Sequence, residues 1–174
     1  FQGIKTIGNK GDGFKQKYIL LDNKKFLLNI PAILIKIFTK SLYRNKFYGL
    51  FLYSNGMFFI NILTLNLNIG SIIINTTHNK FKLFIGSSTI LHNIQQSKFI
   101  NNLELNPGKG SQFCKTPGNY CFIINKNLTF RTKILIKLKK KKIYLLHGKC
   151  FATFGTNFFF KTKKLKIPKA GVNR

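Results

Sequence analysis

Residues 103–118, LELNPGKGSQFCKTPG, carry the densest set of groups that could do chemistry in this chain. Lys109 and Lys115 supply positive charge. Asn106, Ser111, Gln112 and Thr116 supply short hydrogen-bonding arms. Pro107, Gly108 and Gly110 set turns, and glycine lets a backbone come close to a partner. The chemistry implied is contact with phosphate and sugar rather than bond making. The same composition also describes an ordinary solvent-exposed hairpin loop, and local residues alone do not separate the two.

Bond-making chemistry lacks its residues. The only carboxylates are Asp12, Asp22 and Glu104, spread too far along the chain to read as an acid/base pair. Cys114, Cys121 and Cys150 contain no C-x-x-C pair. An odd number without zinc spacing argues against a disulfide framework and a structural metal site. Each cysteine is expected as a small buried or half-buried residue. His78, His92 and His147 stand far apart and read as isolated side chains. No Gly-rich nucleotide loop and no Ser-His-Asp or Cys-His spacing is visible.

Charge narrows the partners. The 174 residues hold 30 Lys plus Arg against 3 Asp plus Glu, a net +27. So one-sided a chain repels itself when compact. It calls for a polyanion, either nucleic acid or an anionic membrane surface. Arginine occurs only at Arg44, Arg131 and Arg174. Lysine meets phosphate as a mobile point charge, whereas arginine gives planar bidentate readout, so backbone-directed binding is favoured over base readout. Lys, Asn, Ile and Phe make up about half the chain. All four have A/T-rich codons, which points to an A/T-biased genome such as an organelle's and makes spacing better evidence than residue type.

The elements that must position the loop read as strands. Expected strands cover 17–22, 32–38 (Ile33, Ile35 and Ile37 on one face), 48–53, 57–63 and 69–75. Ser54-Asn55-Gly56 makes a hairpin turn. By length alone 30–42 could be helical. Residues 65–69 alternate with period two, the mark of a half-buried strand. Residues 56–79 lack Lys, Arg, Asp and Glu and are long enough to span a bilayer, yet repeated Asn, Gly70 and Thr76-Thr77 suit a spanning helix poorly. Short strands with closely spaced turns suggest a small closed barrel. A boundary is expected near residue 95, with Asn93, Gln95, Gln96 and Ser97 as linker. A second β unit follows: 99–105, the loop, 119–124, a turn at 125–127, 128–138 with Ile134, Ile136 and Leu138 inside, a basic tip at 139–142, 143–146 and 149–155. Most Phe and Tyr fall at strand positions that read as buried. Residues 1–17 and 161–174 read as basic, irregular arms.

At the loop the pattern becomes specific. Residues 104–118 resemble the E-x-x-P-G-K-G-G-Q-x-x-R-S-A-G segment of the universal ribosomal protein L-two family of the large subunit. Lys115 and Thr116 stand where that family has Arg and Ser, and Ser111 and Pro117 replace a Gly and an Ala. Other blocks follow in order. Gly11-Asp12-Gly13, Lys15-Gln16-Lys17-Tyr18 and Asp22 resemble G-G-G-H-K-x-x-Y-R-x-x-D, with Asp12 and Phe14 as departures. Ile30-Pro31-Ala32 resembles G-I-P-A, and 86–94 resembles G-N-x-x-P-x-x-N-I. Residues 150–155 resemble C-R-A-T-x-G, and Lys169-Ala170-Gly171 resembles G-K-A-G.

The resemblance implies an all-β fold with an OB-like barrel followed by an SH3-like barrel and basic extended N- and C-terminal arms. The expected divisions are 1–13 arm, 14–95 OB-like barrel, 96–160 SH3-like barrel and 161–174 tail. It implies a non-enzymatic constituent of the large ribosomal subunit, binding large-subunit rRNA and supporting assembly and the architecture around the peptidyl-transferase centre. The expected RNA contacts are Lys10, Lys15, Lys17, Asn106, Lys109, Gln112, Lys115, Thr116, Lys149, Lys169 and Arg174. Expected partners are rRNA and neighbouring ribosomal proteins, with no membrane insertion. No cofactor is expected beyond Mg²⁺ carried by rRNA. The family continues past G-K-A-G into a Gly- and His-rich segment, so a separate chain is expected to supply that part or it has been lost. A mitochondrial location is expected over a plastid one. Two other classes fit the composition. A single-strand-binding OB protein would stack bases on exposed aromatics, and a basic peripheral membrane protein would be held by charge and a Phe-rich surface.

Overall fold

A computed structural model describes residues 2–3, 18–39, 46–78, 84–126 and 132–159. The expected contacts Lys10, Lys15, Lys17, Lys169 and Arg174 lie outside the described residues, as do most of both arms. The described residues are all β apart from one 3-10 turn, Leu91–Asn93. No helix among them is long and apolar enough to cross a membrane.

Strands β1 (Pro31–Thr39), β2 (Phe47–Tyr53) and β3 (Phe58–Ile62) form an antiparallel meander. Asn55-Gly56 turns the chain between β2 and β3. Gly56 sits at φ +86°, and the Asn55 side chain accepts the Met57 N–H at 3.1 Å. β4 (Ile72–Thr76) pairs antiparallel with the start of β1 and parallel with β5 (Ser88–Ile90). From β5 the sheet continues through β12 (Phe151–Phe154), β6 (Phe99–Asn101), β9 (Cys121–Lys126), β10 (Lys133–Leu138) and β11 (Ile143–His147). β7 (Leu103–Glu104) and β8 (Ser111–Phe113) form a separate two-stranded ladder around the loop.

Two apolar clusters hold these strands. One gathers Ala32, Leu34, Phe51, Tyr53, Leu63, Leu67 and Ile73. Phe59 stacks on Phe51 and Tyr53, with ring centroids 5.0 and 4.4 Å away. The other gathers Leu91, Ile94, Ile100, Leu103, Ile123, Ile134, Ile136 and Leu146, with Cys114, Cys121 and Cys150 all buried among them. Thus Leu91 and Ile94, flanking the 3-10 turn, pack with the strands that follow. Two clusters served by short, mostly antiparallel strands are compatible with the expected pair of small barrels.

Several expectations need correction. Residues 18–22 form no strand; they run irregularly toward Asn23. The alternation at 65–69 is not a strand either. Asn66 at φ +67° and Gly70 at φ +87° turn the chain, so Leu67 is buried while Leu65 and Ile69 stay exposed. The stretch expected as a possible helix from residue 30 holds a strand instead, Pro31–Thr39; residues 40–42 lie outside the described residues. Ile33, Ile35 and Ile37 do not share one face. An irregularity between Leu34 and Lys36 inserts a residue, and such a bulge changes which side chains point inward. Ala32 and Leu34 are buried, Ile33 and Ile35 face outward, and Ile37 packs on the core. Asn125 and Lys126 do not turn but extend β9 opposite Leu135 and Ile134. Phe58 and Phe99, both in strands, are at least half exposed.

Gly86 shows how tightly the first cluster is fitted. It sits at φ +86°, and a Cβ there would lie 2.6 Å from Leu67 Cδ1 and 3.1 Å from Ile73 Cγ2. Its N–H donates to Phe154 O at 2.9 Å, so the backbone is held where it is. Gly86→Ala therefore combines backbone strain with overpacking. It is expected to destabilise the chain by about 2 kcal/mol, read as a lower thermal midpoint than wild type.

Candidate nucleic-acid interface

The loop is built from turn chemistry first. Lys109 N–H donates to Asn106 O at 3.2 Å, closing a four-residue turn over Pro107 and Gly108. Proline fixes the first central residue and Gly108, at φ +75°, supplies the positive φ that a type II turn needs at the second. A side chain buried beneath the turn then holds it. Glu104 is fully buried. Its carboxylate accepts the N–H of Gly110 at 2.9 Å, of Gly108 at 3.3 Å and of Phe151 at 2.9 Å. An ionised carboxylate makes hydrogen bonds roughly twice as strong as neutral ones. One side chain thus ties the loop apex to the base of its own hairpin and to β12.

The segment before β1 clamps the other side. Asn23 O accepts the Ser111 N–H at 2.9 Å and the Ser111 hydroxyl at 3.3 Å. Asn23 Oδ1 accepts from Lys115 Nζ at 2.6 Å, and Lys115 Nζ also donates to Ser111 O at 3.1 Å. A Cβ on Gly110 would meet Asn23 O and Lys24 Cγ at 3.4 and 3.3 Å, so glycine permits this approach. Asp22 Oδ1 accepts the Lys25 N–H at 2.8 Å and shapes the clamp. On the far side, the buried Asn157 side chain donates to Cys114 O and to Thr116 O. Asn102 and Cys114 at the hairpin base both take positive φ, 45° and 53°. Such conformations persist only where the surroundings over-determine them.

The result divides the cations by role. Asn106, Lys109, Gln112 and Thr116 are exposed on one loop. Lys149 is also exposed, two residues before the Phe151 N–H that Glu104 binds. Lys115 is half-buried with its ammonium engaged in the clamp. Burial, then the Lys46 charge, holds its pKa below the ordinary lysine value. Lys25 goes further. It is 3% exposed, and its Nζ donates to Ser88 Oγ at 2.8 Å and Thr153 Oγ1 at 3.0 Å. Burial lowers its pKa to about 8, against the opposing pull of Asp22 and Glu104.

Asn23, Lys25 and Asn157 were not singled out from sequence, and Glu104 was named there without a role in the loop. The one available signal was rarity: in a chain with three acids, an acid three residues before Pro107-Gly108 has few neighbours of its own sign. Nothing in the spacing distinguishes buried Lys25 from its exposed neighbour Lys24.

Strand order, a paired apolar interior and a buttressed basic loop define a small, strongly basic all-β protein that presents a preformed cationic loop. The family model described as Ribosomal Proteins L2, C-terminal domain, matches residues 84–174. The chain belongs to the ribosomal protein L2 family. It is 30% identical over 166 residues to the large ribosomal subunit protein uL2 of Orientia tsutsugamushi (strain Ikeda), covering 95% of this chain and 59% of that protein. It is also 30% identical over 169 residues to the large ribosomal subunit protein uL2m of Reclinomonas americana, covering 97% of this chain and 59% of the relative. A uL2 from Mycoplasmoides gallisepticum is 27% identical over 173 residues, with 60% of its length covered. The chain therefore spans about three-fifths of the length of these relatives.

The depressed Lys25 pKa has a definite consequence for stability. Below pH 8 folded and unfolded states both hold the proton. Between about 8 and the ordinary 10.5 only the unfolded state holds it, so stability gains as pH rises through that window. The full gain is on the order of 3 kcal/mol. Cys150, pushed up to about 11 by burial, acts oppositely from pH 9, so the readout is a difference. Lys25→Met leaves Ser88 and Thr153 bonded to each other at 2.9 Å. Denaturant titrations are expected to show wild type gaining on Lys25→Met from pH 8 to 10; parallel pH profiles would contradict the buried ammonium.

Proposed function

We propose that this chain is a structural constituent of the large subunit of an organellar, mitochondrial ribosome. In this reading it binds large-subunit rRNA, aids assembly and supports the architecture around the peptidyl-transferase centre. It performs no catalysis itself and uses no cofactor beyond Mg²⁺ that accompanies the RNA. The observation that carries the reading is the loop at 106–116, held from beneath by Glu104 so that Lys109 and its polar neighbours are left free to meet a polyanion. The relatives' description as large ribosomal subunit proteins supports it, and the uL2m relative together with the A/T-biased composition supports the mitochondrial location.

The contacts divide as the geometry divides them. Lys109 and Lys149 pair with phosphates. Asn106, Gln112 and Thr116 hydrogen-bond phosphate or sugar oxygens, which fixes register without reading sequence. Lys115 acts mainly through the loop's own structure. Lys10, Lys15, Lys17, Lys169 and Arg174 add phosphate contacts from the arms. Residues 14–95 and 96–160 serve as the OB-like and SH3-like units that set the loop at their junction, beside a neighbouring ribosomal protein.

Reversing charge at exposed positions separates binding from folding. Lys109→Glu with Lys149→Glu is expected to leave the thermal midpoint near wild type yet deplete the chain from large subunits in sedimentation profiles. For the isolated chain on large-subunit rRNA, Lys109→Ala alone should shrink the slope of log affinity against log salt by about 1. Normal incorporation of the double variant would sink the assignment of the loop.

A further inference from the structure

The outer face of the first four strands carries a feature that an RNA contact does not explain. Phe58 of β3 lies opposite Leu52 of β2, Leu52 opposite Ile33 of β1, and Ile33 opposite Ile72 of β4. Directly opposed residues in neighbouring antiparallel strands present their side chains to the same face. These four make one continuous apolar row across the sheet. Phe58, Ile33 and Ile72 are 63%, 46% and 53% exposed. Ile35, two residues after Ile33 on the same face and 40% exposed, widens the row. Lys36 is the only charged residue in the four strands, in a chain carrying 30 cations.

We propose that this row docks an amphipathic helix of another protein, with an uncharged apolar stripe and acidic flanks. The proposal rests on reading the chain as a large-subunit component. Three interstrand steps give the row a length of about 14 Å. At 1.5 Å per residue that matches about nine residues of helix, enough for anchors at i, i+4 and i+7, the pattern by which helices lie on apolar surfaces. RNA suits the row poorly. Phosphates need cations that the row lacks, and base stacking needs aromatic faces, of which the row has only Phe58. A second copy is opposed by charge, since each chain carries +27. The same excess, with Lys36 exposed on β1, draws acidic flanks toward the row.

The test places the photo-crosslinking amino acid p-benzoyl-phenylalanine at Phe58 and, separately, at Ile72, in cells that make the chain. After irradiation, adducts are identified in the large-subunit fraction. The expected result is one and the same protein at both positions, joined through a helical segment with acidic flanks, and loss of that protein from particles carrying Ile33→Glu. Adducts to rRNA, to a second copy of the chain or to different proteins at the two positions would overturn the proposal, as would a chain incorporated without any adduct. Adducts to one protein at both positions from a chain that sediments apart from large subunits would support the docking row and overturn the ribosomal reading instead.

Discussion

A single buried carboxylate holds the candidate loop of this protein in shape. Glu104 receives three backbone N–H groups from two separate elements. Removing a carboxylate from water is expensive unless its lone pairs are filled, and here they are filled by the groups that need fixing. The Gly108 and Gly110 amides would otherwise point into a turn with no ladder to pair them. The Phe151 amide brings in β12, which lies in the large sheet. The loop's shape and the sheet's position are therefore set by one bond pattern.

The surrounding charge makes that choice intelligible. In a chain of net +27, an ionised acid gains from nearly every long-range interaction, whereas a buried lysine loses from most of them. For Lys25 burial is the larger cause: it lowers the pKa despite the nearby Asp22 and Glu104, and the Lys115 charge adds only a little to it. Lys115 is similarly tied into the clamp rather than offered to solvent. Lys109, Asn106, Gln112 and Thr116 on the loop, and Lys149 near it, stay exposed on a backbone fixed in advance. Preorganisation of this kind lowers the ordering cost of binding. It also gives two lysines of one short loop different tasks, which their shared chemistry does not announce.

Much of the fold was legible because its rules are local. Asn55-Gly56 turned the β2–β3 hairpin, and Pro107-Gly108 turned the loop. Ile134 and Ile136 went inward with Lys133 outward, as period-two alternation requires. Where local pattern failed, a longer-range cause prevailed. Residues 65–69 alternate like a strand, but positive φ at Asn66 and Gly70 folds them back so that only Leu67 reaches the core. The faces of β1 were misread because a bulge has no signature in the run Ile33-Leu34-Ile35-Lys36-Ile37. The 18–22 segment looks like a strand by residue type, yet it leads into the clamp at Asn23, 88 residues from its partner Ser111. The site divided in the same way. Its exposed members could be read as a basic turn, while Glu104, Lys25, Asn23 and Asn157 act through partners that spacing cannot reveal. The family resemblance, carried by ordered blocks along the chain, made the loop a candidate site; it did not say what holds it.

The central claim is that the loop is fixed before any RNA arrives. Amide hydrogen exchange of the free chain tests it most directly, resolved at Gly108, Gly110 and Phe151. A preformed carboxylate cradle predicts that the Gly110 and Phe151 amides exchange much more slowly than an open loop allows, with Gly108, bonded at the longer distance, protected less. Exchange of all three at open-loop rates in the free chain, with protection arising only when large-subunit rRNA is added, would contradict the account.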